Sequence, residues 1–436
     1  GDAALKQYND DPDNGVYAIK RHIGEEAWSC KIPHLGKSLT SEEVVRDIFH
    51  CIKEKLMSQN AGNHIDGVVI SVPYAFQSRE RNIIKNAAEK AGFHVRGLIE
   101  EPVAAALSFG IFDSSVEIGM KEKVLIFDLG GGTFDITIFE FEREQENFKI
   151  EVLNTDGEKA LGGNDVDELL KKYFVNDILK VPVEERNPKA ESKFLRQARR
   201  SKEELSYEDE TDVFEVYDTA SKSTYDNNGI ELDYPLKRKE FEDLLDPFLS
   251  KIRNCLEDAI YDADLEPADI DKIVLVGGSS NIPAIQRDLK KFFGKEPLST
   301  GRSDELVGRG AGIYCGVLLG QLGIKLKIVP KTSYAIGIRE GTKFKKVLPK
   351  NSKYEQFSEI EYCTIEGNKN HEAEVEIYQG NSSDITKCCK AGKIIIDISA
   401  FPKNRVGICL GTDQSGNICY RLHINEHEVV AQGKII

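Results

Sequence analysis

Thr40-Ser-Glu-Glu43 is a capping box, and Val44, Val45, Ile48, Phe49, Ile52 and Leu56 follow it at helical spacing. Residues 66–73 then read as a buried strand that Pro73 ends. A helix over about 78–91 buries Ile83, Ile84, Ala87 and Ala88. Gly92 stops it, and 95–99 form a short strand. Glu101-Pro-Val-Ala-Ala-Ala106 starts another helix with Pro102 in its first turn. From Val124 to Phe141 the pattern is a buried apolar strand, a glycine turn, and a second strand alternating in and out of a core; 149–154 add a third. Leu161-Gly-Gly-Asn-Asp165 introduces the next helix, with Asn164 or Asp165 as its cap. A charged helix over about 189–206, a polar strand pair over 213–234 and a long helix over about 239–263 come next. Lys272-Ile-Val-Leu-Val-Gly-Gly-Ser-Ser280 is again a buried strand into a glycine turn, with a helix beginning near Ile282. Residues 304–322 form a final helix, rich in small residues for close packing.

After Lys325 the helical period disappears. Short alternating segments with turn signals, 335–338, 373–378, 393–398, 407–412 and 418–424, carry the chain to Ile436. The fold class is therefore α/β followed by an all-β module of about a hundred residues. A short apolar and basic linker, Lys325-Leu-Lys-Ile-Val-Pro330, joins the two.

At 436 residues the chain has room for two or three domains with sizeable cores. Its net charge of −15 argues against non-specific nucleic-acid binding and favours a soluble protein. No apolar run approaches membrane-spanning length, and Gly1-Asp-Ala-Ala has no secretory character. Nine cysteines without a Cys-x-x-Cys pair indicate neither a disulfide framework nor a zinc site, but free thiols in a reducing, cytoplasmic compartment. The chain begins with Gly1 and its first methionine is Met57, which reads as a fragment or a processed product.

The chemistry concentrates at Asp128-Leu-Gly-Gly-Gly-Thr-Phe-Asp135. Gly130, Gly131 and Gly132 leave no side chains in the turn, so backbone N–H groups can close on a phosphate. Asp128, Thr133 and Asp135 beside that cradle are hard oxygen ligands, suited to Mg2+ with its retained waters. A glycine-rich hairpin with solvated aspartates is the bland alternative. An intact motif between two strands argues against it.

Four motifs together name a resemblance. Asp128–Asp135, Ile99-Glu-Glu-Pro-Val-Ala-Ala-Ala106, Leu161–Asp165 and Val274–Ser280 resemble those of the seventy-kilodalton heat-shock chaperones of DnaK type. Tyr378-Gln-Gly380 extends the likeness into that family's peptide-binding domain. The resemblance implies an actin-like (ribonuclease H-like), two-lobed ATPase domain over 1–322, a linker over 323–330 and an all-β peptide-binding sandwich over 331–436. It implies ATP/ADP and Mg2+ as cofactors, with Asp128 and Asp135 holding the metal through water. Lys20 and Thr133 would meet the transferring phosphoryl group, Gly131 and Gly132 would give N–H groups to phosphate, and Glu101 would order the metal's waters. Lys202 and Ser206 match the adenosine-binding helix. Gly277, Gly278, Ser279 and Ser280 match the glycine turn beneath adenosine, and Asp304 the aspartate near the adenine pocket. Pro73 and Arg81 match the family's interdomain relay.

Departures qualify the expectation. The glycine–threonine phosphate hairpin that opens the family's first lobe is missing, which predicts an uncovered sheet edge and negligible ATP turnover in this chain. Arg199 stands where the family has a ribose-binding glutamate, and Asn281 where many members have an arginine stacking on adenine. The altered linker predicts that ATP changes peptide release little. The loop Gly341-Thr-Lys-Phe-Lys-Lys346 is short and basic, which favours segments with acidic flanks, and the helical lid is absent. The expected function is an ATP-dependent chaperone for unfolded or extended polypeptides, served by J-domain co-chaperones and nucleotide-exchange factors, with no nucleic-acid or membrane partner. A non-hydrolysing holdase or scaffold is the first alternative, and a small-molecule kinase of the same lobe architecture the second.

Overall fold

The structure is a computed structural model that describes every residue except 1–3, 5–6, 9–10, 60–64, 66, 75, 111–117, 145–146, 159, 220–228, 300–304, 324, 366–370, 402–403, 415 and 436. Two compact units divide the chain. The first contains 1–48, 123–136 and 156–306; the second contains 49–122, 137–155 and 307–436.

In the first unit the strand Lys272–Val276 runs parallel to Lys121–Leu129, with Lys272 opposite Val124 and Val276 opposite Asp128. Val124, Leu125, Ile126 and Phe127 are all fully buried, as a continuous apolar run in a parallel strand requires. The expected long helix is two helices, Arg238–Asp243 and Asp246–Asp262. Pro247 has no N–H to give and suits a first turn, so the second helix starts there rather than continuing the first. The helix Gly163–Lys172 carries no side-chain cap from Asn164 or Asp165. Its orphan N–H groups go to backbone carbonyls instead: Gly163 to Gly130 at 2.9 Å, Asn164 to Gly131 at 2.7 Å, and Asp165 to Gly162 at 3.0 Å. The helix start is welded to the glycine turn.

In the second unit Val68–Val72 lies parallel to Val95–Glu100. Among the described residues these two strands form a sheet of their own, so the other edge of Val68–Val72 has no described strand beside it. The helix Ser41–Gln59, which enters this unit at Phe49, has the expected capping box, Thr40 N–H to Glu43 at 2.8 Å and Glu43 N–H to the Thr40 hydroxyl at 3.3 Å. Its apolar stripe divides. Phe49 and Leu56 pack against Ala88, Ala91 and Phe93, whereas Ile48 and Ile52 stay 45% and 44% exposed.

The all-β region is a sandwich of two antiparallel four-stranded sheets. One has the order Lys343–Leu348, Ala335–Glu340, Glu372–Gly380, Cys389–Asp397; the other Glu361–Thr364, Arg405–Thr412, Ile418–Asn425, Glu428–Lys434. Alternate positions of both, among them Ile338, Ile377, Ile396, Ile408 and Leu422, make one core. The segment read as a basic loop is mostly the strand Lys343–Leu348, and Lys345 is paired with Glu361 at 2.7 Å.

Lys325–Val329 is itself a strand, parallel to Asn147–Glu158, with Lys325 opposite Asn147 and Val329 opposite Glu151. Polar contacts continue beyond it within the same unit. The Ser333 hydroxyl donates to Tyr74 O at 3.0 Å, Asn351 Nδ2 to Asn154 Oδ1 at 2.8 Å, and Lys331 Nζ to Leu153 O at 3.0 Å. Lys353 pairs with Glu151 at 2.9 Å, and Lys149 with the same carboxylate at 3.1 Å. The Lys353 hydrogen bond, opposed by burial and aided by Lys149, holds the Glu151 carboxyl at about 2, below its ordinary 4.5. A depressed carboxyl stabilises the fold above its unfolded value and loses that contribution as pH falls through the folded one. Glu151→Gln should therefore flatten the decline of the urea midpoint between pH 4.5 and about 2, relative to wild type. Parallel declines would rule the carboxylate out as the cause.

Candidate functional site

The pairing of Val276 with Asp128 sets two strand ends side by side, so the turns that follow them, Gly130–Gly132 and Gly277–Gly278, stand at one edge of the sheet. Ligands of open parallel sheets bind outside such carboxyl ends. Gly277 has φ +80°, and a Cβ there would lie 2.4 Å from Leu129 O and 2.9 Å from Asp128 Oδ1. Only glycine lets the second turn approach the first so closely. A Cβ on Gly278 would meet nothing within 4 Å, which leaves open space above the turn.

That space is a cavity of 580 Å3, within the usual range for a small-molecule site. Gly131, Lys202, Ser206, Gly278 and Ser279 line it together with Tyr17, Asn164, Arg199, Glu203, Tyr207, Asn281 and Ile282. The three glycine carbonyls of the first turn are occupied: Gly130 and Gly131 accept from the helix start, and Gly132 accepts from Arg21 Nη2 at 3.1 Å. The turn's own bond runs from Gly130 N–H to Thr133 O at 3.1 Å, so Gly131 and Gly132 N–H lie outside it. This is the polarity an anion needs.

Side chains then divide into those facing the cavity and those bracing it. Lys202 Nζ sits 2.6 Å from Asp167, which is fully buried, and 3.0 Å from Gly163 O. Arg199 reaches the same carboxylate at 3.1 Å, Asn164 Oδ1 at 3.2 Å and the Tyr17 hydroxyl. Ser280 is fully buried and its hydroxyl donates to Gly277 O at 2.6 Å, which braces the turn. Asp128 and Asp135 are 8% and 2% exposed, at either end of the first turn. Two buried carboxylates beside a cradle that a Cβ would fill fit a hard cation carrying phosphate oxygens.

Lys20 and Glu101 are not among the residues that line this cavity. Lys20 is exposed on the short 3-10 helix Ile19–His22, and its neighbour Arg21 holds the turn, paired with Asp165 at 2.7 Å. Glu101 is half-buried at the start of Glu101–Ser108, in the second unit. Asp304 lies outside the described residues. Sequence reasoning passed over Tyr17, Arg21 and Asp167, and read Asn164 only as a helix cap. The signal that could have found Asp167 is its place three residues after Asn164 on a helix facing Arg199 and Lys202, which are themselves three apart.

A second cavity, 760 Å3, opens in the β-sandwich between the Ala335–Glu340 and Glu361–Thr364 strands. Ile338, Tyr362, Ile365 and Val375 give it an apolar floor, and Glu340, Lys345, Glu374 and Glu376 a charged rim. Among the described residues, no helix is long and apolar enough to cross a membrane.

A family model described as Hsp70 protein matches residues 1–416 of this chain. Chaperone protein DnaK of Thermotoga petrophila and Chaperone protein DnaK of Thermotoga maritima are each 34% identical to it over 386 residues. Those residues are 87% of this chain and 62% of each relative, so the chain spans less than two thirds of their length.

Proposed function

This chain belongs to the Hsp70 family, and from that membership we propose that it binds ATP or ADP between its two glycine turns and holds extended polypeptide segments on its β-sandwich. The fold is accordingly the α/β actin-like ATPase architecture followed by an all-β sandwich. The carrying observation is the 580 Å3 cavity that unites Gly131, Gly278, Ser279, Lys202 and Ser206, which are remote in sequence. The phosphate chain would lie on the Gly131 and Gly132 N–H groups, and the nucleoside would extend along Lys202 and Ser206. Asp128 and Asp135 would hold Mg2+ through its waters, and the ion would neutralise charge on the phosphate oxygens. Thr133 would set its hydroxyl against the terminal phosphate. On the sandwich, an extended segment would gain main-chain hydrogen bonds along the groove and one side-chain pocket over Ile338 and Val375. Co-chaperones of J-domain and exchange-factor type would then be the partners, in a reducing compartment such as the cytoplasm.

A second reading, a holdase or scaffold that binds nucleotide without turnover, is favoured by Lys20, which stands exposed while Arg21 is spent on Gly132 and Asp165. Calorimetric titration with MgADP decides the first part. Lys202→Met should weaken binding about tenfold or more, the scale of a charge-assisted bond to a ligand anion. A folded wild type without heat of binding, or a variant with unchanged affinity, would remove the cavity from the proposal. Release of a labelled apolar peptide, with and without ATP, then separates a coupled chaperone from a holdase.

A further inference from the structure

Asp167 is fully buried and holds two cations at once, Arg199 Nε at 3.1 Å and Lys202 Nζ at 2.6 Å. Both cations also line the 580 Å3 cavity. One carboxylate behind two cations leaves this wall positive; the remaining lining carboxylate, Glu203, is exposed at its end of the helix Pro188–Glu204.

Arg199 is held by three acceptors at once. Its Nε goes to Asp167, and its Nη2 goes to Asn164 Oδ1 at 3.2 Å and to the Tyr17 hydroxyl. The Tyr17 ring lies 5.5 Å from the guanidinium carbon, and Tyr17 itself donates to Asn164 at 3.2 Å. The guanidinium plane is thus fixed from three sides. Nη1 takes part in none of these bonds, and it carries two further N–H donors.

A guanidinium only donates. A free ribose diol next to it finds no acceptor on the guanidinium for its O–H groups, whereas a carboxylate in that place would accept from both. A phosphate monoester on the ribose reverses the match, because it brings negative charge and three acceptor oxygens to a donor fork. Dinucleotide sites make the same exchange, an acidic residue for a free 2′-hydroxyl and an arginine for a 2′-phosphate. We propose that this cavity prefers a nucleotide whose ribose carries a 2′- or 3′-phosphate in addition to its 5′-phosphate chain, with Arg199 as the selecting residue. The inference rests on the reading of the cavity as a nucleotide site.

The test is calorimetric titration of the full chain, in Mg2+ buffer, with ADP, ATP, ADP 2′-phosphate and ADP 3′-phosphate. ATP controls for one more phosphate that is not on the ribose. One ribose-phosphorylated ligand should bind about tenfold tighter than both ADP and ATP, the scale of a charge-assisted pair. Arg199→Gln should bring that ratio close to one. Arg199→Lys keeps the charge without the fork and should retain only part of the preference. Lys202→Met should weaken all four ligands together. ADP binding as tightly as both ribose phosphates to wild type would overturn the proposal, and needs no variant to fold. A preference that persists in Arg199→Gln would overturn it too. Wild type that binds none of the four would remove the nucleotide reading itself, a failure distinct from the loss of the preference alone.

Discussion

Gly310→Ala should destabilise the protein by about 3 kcal/mol, at the upper end of the usual cost of overpacking. Gly310 is buried in the helix Leu306–Leu318, where that helix crosses Glu101–Ser108. A Cβ on it would stand 1.7 Å from Ala104 O and 2.4 Å from Ala104 C. Both atoms are backbone, so no side chain can swing away and the two helices must part. Two residues along, Gly312 is exposed and its Cβ would meet nothing within 4 Å. Gly312→Ala should therefore stabilise by up to about 1 kcal/mol through helix propensity alone. Urea melts of the two variants, with m unchanged, should move in opposite directions from wild type. A Gly310→Ala midpoint at or above wild type would show that the helices are not in contact there.

Arg81→Met should cost about 3–5 kcal/mol, because it leaves a carboxylate buried without its cation. Arg81 Nη1 lies 2.9 Å from Glu100 Oε1, both side chains are 10% exposed, and Arg81 Nε donates to Phe76 O at 2.9 Å. Tyr354 donates to the same Glu100 oxygen at 3.2 Å, and burial with the Glu100 charge pushes the Tyr354 hydroxyl far up. The phenol stays a donor at every working pH, but it cannot supply the missing charge. Glu100→Gln should be costly for the mirror-image reason. The double variant Arg81→Met/Glu100→Gln should be more stable than the sum of the two losses predicts, by about 0.5–3 kcal/mol for a coupled pair. Additive losses in a double-mutant cycle would mean that the two residues act separately.

The signature hairpin was legible because its evidence is local. An apolar run, three glycines and an alternating strand admit few other conformations, and Val124 to Phe127 are buried as that pattern demands. The sandwich strands were legible for the same reason. What escaped depends on partners distant in the chain. Lys325–Val329 alternates like a strand, yet only its pairing with Asn147–Glu158 makes it one. Asn164 looked like a cap because the carbonyls that replace a cap come from Gly130, Gly131 and Gly162. Asp167 was passed over, because its burial depends on how Gly163–Lys172 packs against Pro188–Glu204. Lys20 and Arg21 are neighbours of like charge, so nothing in the pattern could say which of them reaches the turn.

The parallel strand Lys325–Val329 also sets the direction in which the β-sandwich resists force. Hydrogen bonds in a parallel pair are evenly spaced along the strand. A pull along its axis, applied through Pro330, loads all of them together in shear. A pull at right angles peels them from Val329 back to Lys325, one at a time, and needs far less force. Whatever draws on the sandwich therefore meets a stiff joint along one axis and a weak one across it.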